Sequence, residues 1–187
     1  MDNLNTKPIK AIMLILALGA LVVFSVQNIS AEEEPIPLSC TVTSGECSGV
    51  VIFNMQALDN SHAELNSQSN YSYKVCCTGT DVGYSCIDNH AVVLNLSGST
   101  NAHVEENGQS NYANNACLSC ADAEGTVTCD YASDCATLGE DFVCLASISG
   151  ATNAHVGDCN AYASKVCCQV GLSYSNTPLP TWKELAP

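Results

Sequence analysis

Three histidines recur in one local pattern, and imidazoles at a shared position are the first candidates for chemistry. They stand in Leu58-Asp59-Asn60-Ser61-His62-Ala63-Glu64, in Ser99-Thr100-Asn101-Ala102-His103-Val104-Glu105 and in Ala151-Thr152-Asn153-Ala154-His155-Val156-Gly157. Neutral imidazole is a common metal ligand, and Glu64 and Glu105 add carboxylates two residues on, so one histidine per segment can be read as a metal site. Such a site needs the three to converge, which segments stacked side by side do not produce. The favoured expectation is therefore a turn, in which the Asn side chain bonds the backbone and the His packs against the following strand. His62, His103 and His155 stay weak metal candidates, and no cofactor is expected.

Cysteine is the second chemically capable residue type, with 13 copies. Cys117-x-x-Cys120 has the spacing of a redox or metal motif, but it lies outside a βαβ context, and Ala121 follows where attachment of c-type haem requires histidine. A zinc cluster with Cys129 and Cys135 fits on spacing, yet an exported location favours disulfides. The sequence has no Gly-x-Ser-x-Gly motif, no glycine-rich phosphate loop and no nucleophile beside a histidine in a recognisable arrangement. Paired acids such as Glu105-Glu106 and Glu140-Asp141 read as solvated surface. The chain is expected not to be an enzyme.

Export is read from the N-terminus. Lys7 and Lys10 precede an apolar run from Ala11 to Val26, short for a membrane span, and Ile29 and Ala31 suit the positions before a cleavage site. Residues 1–31 are thus expected to be a signal peptide, followed by an acidic, proline-containing linker over 32–39. Left uncleaved, the leader is the chain's one expected route to a membrane. Cleavage removes Asp2, Lys7 and Lys10, leaving 18 acids against three lysines and a formal charge of −15. With no arginine and this acidity, nucleic acid and anionic membrane surfaces are excluded as partners. No spaced Asp-x-Asp-x-Asp-Gly calcium loop is present, so the charge is read as a solubility device.

The elements that must position these residues follow from the same self-similarity. Upstream of the histidines, Val51, Phe53 and Met55 align without a gap with Val92, Leu94 and Leu96, and with Cys144, Ala146 and Ile148. Polar residues between them give the period-two pattern of a half-buried strand. Downstream, Tyr71, Tyr112 and Tyr162 each precede a cysteine by five residues, at Cys76, Cys117 and Cys167. The mature chain is therefore expected to be all-β, as three repeats over 40–80, 81–121 and 122–170. Units this small cannot stand alone, and they are expected to pack as one extended sandwich or two sandwich-like domains.

All cysteines lie in the mature part, about 8% of it, which is disulfide-scaffold usage. Closing loops of about 30 residues stabilises by on the order of 3 to 4 kcal/mol each in the chain-entropy model. Copies one and three open with two cysteines, Cys40 and Cys47 or Cys129 and Cys135. Each closes with a vicinal pair, Cys76-Cys77 or Cys167-Cys168, so the opening pair is expected to bond the closing pair. Cys144 and Cys159 are extra to the third copy, at the positions of Val51 and Asn66, and most simply bond each other. Cys86, Cys117 and Cys120 remain in the middle copy. One of them is odd, which points to an intermolecular bond or a free thiol.

Asn70-Tyr71-Ser72 and Asn95-Leu96-Ser97 are glycosylation sequons, with Asn95 expected on the outward register of its strand. The segment 171–187 is a Pro-rich tail or an arm that adds to a neighbouring sheet, with Trp182 and Leu185 as anchors. Asn-Ala-His-Val followed by Val-Cys-Cys, as in Lys165-Val166-Cys167-Cys168, resembles repeats of uncharacterised cysteine-rich secreted proteins of microbes, over most of the mature chain. That resemblance implies no known activity. The sequence reading is a secreted or cell-surface structural or adhesive protein, a disulfide-stabilised filament subunit that associates with itself or with other surface proteins. The alternatives are a secreted metal- or small-ligand-binding module using the histidines, and a redox protein using Cys117 and Cys120.

Overall fold

Apolar and β-branched runs separated by Asn, Ser and Gly turns form twelve strands in the computed structural model, which describes residues 36–87 and 89–171. The expected signal peptide, the start of the linker, and the tail with Trp182 and Leu185 lie outside the described residues. The first sheet holds β1 (Ser39–Thr43), β2 (Val50–Met55), β3 (Ala63–Leu65) and β4 (Tyr73–Thr78). The second holds β5 (Val82–Gly83), β6 (His90–Leu96), β7 (Val104–Glu105) and β8 (Asn114–Cys120). The third holds β9 (Thr126–Ala132), β10 (Val143–Ile148), β11 (Val156–Gly157) and β12 (Ser164–Gly171). Each sheet is antiparallel with the order first, fourth, second, third, so all three share one topology. The described chain is all-β apart from a 3-10 turn at Cys135–Thr137.

The sheets are arranged in a closed ring rather than as a sandwich or two domains. The residue after each histidine pairs with the residue before the next one: Ala63 with Ala102, Val104 with Ala154, and Val156 back with Ser61. Each pairing exchanges two backbone hydrogen bonds of 2.8 to 2.9 Å. A further N–H donates across each junction, from Leu65 to the Ser99 carbonyl, from Glu106 to that of Ala151, and from Asp158 to that of Leu58. Cyclic closure leaves no sheet as an outer layer. One core results, drawing Phe53, Met55, Leu94, Leu96, Ala146 and Ile148 from all three sheets.

The second strand of each sheet departs from simple alternation. A register shift falls between Val51 and Phe53, between Val92 and Leu94, and between Cys144 and Ala146. The extra residue at each bulge, Ile52, Val93 or Leu145, is buried with the core. Beyond the bulge the strand is buried on both faces, because the loop after the third strand folds over its outer side. Asn54 is held there, donating through Nδ2 to the Gln68 carbonyl at 3.0 Å, and Asn95 donates likewise to Gln109 at 3.0 Å. Asn95 is thus 5% exposed, not outward-facing, and offers no surface for a glycan in the folded chain.

That loop is fixed by different chemistry in different sheets. In the first, the Glu64 carboxylate is fully buried and accepts from Tyr71 N–H (2.9 Å), Asn70 Nδ2 (3.0 Å) and the Thr100 hydroxyl (3.1 Å) of the neighbouring sheet's turn. In the second, Glu105 accepts from the N–H groups of Asn111 (3.0 Å) and Tyr112 (2.8 Å) and from Asn111 Nδ2 (2.9 Å). Asn66 and Asn107 add a bond from Nδ2 to the carbonyls of Val51 and Val92. The third sheet has Gly157 in place of the glutamate and Ala161 in place of Asn70 and Asn111. A Cβ at Gly157 would come within 2.4 Å of the Ala161 methyl, so no acidic side chain fits. Here the Ser147 hydroxyl accepts the Tyr162 N–H at 3.0 Å, and the Cys144–Cys159 disulfide spans the positions that Asn66 and Asn107 bridge by hydrogen bonds.

The remaining disulfides tie the fourth strand of each sheet to its first strand or to the segment that follows it. They are Cys40–Cys77 and Cys47–Cys76 in the first sheet, and Cys129–Cys168 and Cys135–Cys167 in the third. The second sheet keeps only Cys86–Cys117. By register, Tyr84 and Leu118 stand there where Cys40 and Cys77 stand in the first. Between sheets, the Tyr131 hydroxyl donates to the Val93 carbonyl (2.6 Å) and accepts the Asn107 N–H (2.9 Å), and burial pushes its phenol far above the ordinary range.

Replacing Glu105 by Ala removes a buried carboxylate and leaves the N–H groups of Asn111 and Tyr112 without their acceptor, and should cost about 3 kcal/mol of stability in urea denaturation. Removing the third sheet's counterpart with Cys144→Ala and Cys159→Ala together should cost about 3 kcal/mol for its short loop. A Glu105→Ala change within about 0.5 kcal/mol of the parent would contradict this account of the buried carboxylate.

Candidate metal centre

The ring places the histidines. In an extended segment successive side chains point to opposite faces. Ser61 and Ala63, Ala102 and Val104, and Ala154 and Val156 are all buried, so the histidine between each pair turns outward. The inward residue ahead of each histidine is small, as crowding where three segments meet requires. The histidine's own backbone is bound within its sheet, its carbonyl accepting from the N–H of Gln56, Ser97 or Ser149. The N–H groups of His103 and His155 donate to the Ser97 and Ser149 hydroxyls.

Three half-buried imidazoles meet as a result. Their ring centroids are 4.7 Å (His62 to His103), 4.9 Å (His103 to His155) and 5.2 Å (His62 to His155) apart. One ring nitrogen from each lies within 4.8 Å of the other two. The expectation that the segments stack side by side, keeping the histidines apart, fails because each turn carries a pairing edge on both sides of its histidine. Three such turns close on themselves.

Asparagines orient the rings from the neighbouring sheet. Asn60, Asn101 and Asn153 have φ of 45°, 49° and 47°, the left-handed conformation that asparagine tolerates best after glycine. His62 Nδ1 meets Asn101 Oδ1 at 2.6 Å, His155 Nδ1 meets Asn60 Oδ1, and His103 Nδ1 meets the Asn153 carbonyl at 3.3 Å. The turn is therefore present as expected from Asn-x-His, but it serves the adjacent sheet's histidine, through the side chain of Asn60 and Asn101 and the backbone carbonyl of Asn153. A carbonyl can only accept, so Nδ1 carries the proton and Nε2 keeps a free lone pair in the neutral ring. Tyr71 and Tyr112 add hydroxyl bonds to Asn101 Oδ1 (3.3 Å) and Asn153 Oδ1 (3.4 Å).

This arrangement is what an imidazole metal site needs: Nε2 free, and Nδ1–H held by an outer acceptor that fixes tautomer and orientation. Tetrahedral zinc at about 2.0 to 2.1 Å from each nitrogen requires nitrogens about 3.4 Å apart, a closure of at most about 1.5 Å from the present spacing. Burial, together with the neighbouring His103 and His62, holds His155 below its ordinary value, so the neutral, ligating form is favoured. Glu64 is also held low. Burial alone would raise it, but the bonds from Asn70, Tyr71 and Thr100 outweigh that effect.

The remaining expected site residues divide sharply. Cys117 is bonded to Cys86, so Cys117-x-x-Cys120 forms no internal disulfide. Cys120 is a free thiol, 5% exposed, which burial pushes above its ordinary value and withholds from another chain. Cys129 and Cys135 are each in a disulfide, which removes them as zinc ligands. Asn70 is exposed, though its amide is engaged by Glu64. Sequence reasoning did not single out the orienting role of Asn60, Asn101 and Asn153 or the burial of Glu64, and its reading of Glu105 as solvated surface fails, because the loop's N–H groups draw that carboxylate inside.

No protein-family model, curated protein or solved structure matches the chain.

Acid should weaken the fold in two stages. His155, low when folded, binds its proton more readily when unfolded, so its stabilising effect is complete above about pH 6.5 and is lost as pH falls through its folded value. Glu64 acts in the same direction below about pH 4.5. Thermal melts from pH 8 to pH 3 should show both steps, and a variant with all three histidines changed to alanine should lose only the first.

Proposed function

We propose that this protein is an exported, disulfide-stapled, non-enzymatic binding module whose three histidines hold a divalent transition metal, with zinc as the natural fit. The observation that carries this reading is the convergence of three like-oriented imidazoles on one outward face, each with its Nδ1 already committed to the next sheet. Imidazole donors suit zinc, copper and nickel, and a site without thiolates favours these over soft-metal chemistry. The acidic chain, −14 before any cleavage, draws cations toward it. Six disulfides support a life in an oxidising compartment, and no helix among the described residues is long and apolar enough to cross a membrane.

The structural or adhesive reading, a cell-surface filament subunit, draws support from the same staples. The two readings separate by assembly. A filament subunit forms polymers visible by negative-stain microscopy that need reduction to come apart, whereas a metal module is complete as a single chain.

Equilibrium dialysis of the oxidised protein should find one zinc per chain. At about 100 times the dissociation constant, zinc should stabilise the fold by about 2.7 kcal/mol. The combined His62→Ala, His103→Ala and His155→Ala variant should keep its β-sheet circular dichroism and lose the zinc. Zinc retained by that variant, or no zinc on the parent at micromolar concentration, defeats the proposal.

A further inference from the structure

We infer that a metal held by His62, His103 and His155 takes its remaining ligand from beyond the described residues, and that this ligand is a carboxylate. The inference rests on the metal reading above and adds what the site is for.

Among the described residues the chain supplies no fourth donor. The histidines are the complete ligand group, with no Cys, Asp or Glu beside them. Glu64 and Glu105, two residues on, are fully buried and bound by loop N–H groups, and Gly157 has no side chain to offer. The side-chain oxygens of Asn60 and Asn101 are taken by His155 and His62. Three ligands with an open, solvent-facing position is the pattern of a site that exchanges a ligand rather than one that only braces a fold.

Charge selects the ligand class. Three neutral imidazoles leave the double positive charge of the ion uncompensated, so an anion is preferred to water. The whole chain is strongly acidic, however, and Asp59, which interacts with Tyr162, adjoins the ring-orienting Asn60 in the chain, which disfavours a multiply charged anion such as phosphate. A singly charged ligand fits best. The amide nitrogens of Asn60 and Asn101 donate to no protein acceptor among the described residues, while their oxygens tie them to the ligating rings. Turned toward the open position, they supply donors for a second oxygen on an anion whose first oxygen is on the metal. A carboxylate has both oxygens; a halide does not.

The test uses the intact, oxidised protein loaded with cobalt(II), whose visible absorption reports coordination. Acetate should shift the tetrahedral d–d bands saturably, with one acetate per cobalt, and phosphate and chloride should act at least about tenfold more weakly. Light scattering without acetate distinguishes the carboxylate's source. A cobalt-dependent dimer dispersed by acetate means that a second copy supplies it, and a monomer throughout means a free carboxylate or one from this chain outside the described residues; each supports the inference. A tetrahedral cobalt spectrum indifferent to acetate, or one that responds equally to chloride or phosphate, overturns it while leaving the metal reading intact. Failure of cobalt to bind at all overturns both.

Discussion

Everything in this molecule depends on one backbone pairing made three times: the residue after a histidine exchanges hydrogen bonds with the residue before the next. The bonds are ordinary in length and individually worth on the order of 1 kcal/mol. Their significance is topological. They turn three four-stranded sheets, each too small to bury its apolar face, into a ring around one core. The same alternation that sends Ala63, Val104 and Val156 inward sends the histidines out together. Core and candidate site are two faces of one arrangement, set by the same backbone pairing.

Around that constant, the three sheets solve a shared problem separately. Each must hold the loop that covers its second strand. Two use a buried carboxylate with surrounding amides, and the third uses Ser147 and a covalent bond between Cys144 and Cys159. The substitutions go together because a carboxylate without Asn70 or Asn111 would be an uncompensated buried charge. The second sheet makes the opposite economy. It has Tyr84 and Leu118 where its counterparts have a disulfide, and it carries the unpaired Cys120.

Much of this was written in the sequence, though unevenly. Alternating apolar residues before each histidine and the density of turn residues specify an all-β chain. The confinement of Cys144 and Cys159 to one copy marks them as a couple, and their sulfurs are joined in the structure. What could not be read was the closure. Nothing in Asn-x-His states that its flanking residues pair with a different copy, because pairing edges are backbone groups common to every residue. The burial of Asn95 was equally hidden, since a bulge at Val93 and a covering loop override simple alternation. One signal was available and unused: the residue between Asn and His is always small, Ser61, Ala102 or Ala154, which suits a crowded axis better than an exposed turn.

The ring is also closed by its most distant members. Asn60 and His155, 95 positions apart, complete the set of ring-orienting contacts, and Ser61 pairs with Val156. Bringing such remote segments together is the slowest kind of step for a folding chain, since loop closure must precede any reward from the contact. The triad therefore comes into being only when the last sheet has been translated and docked. A chain in which one sheet is missing or misdocked has at most two histidines in place, so the complete triad doubles as a record that folding has reached its end.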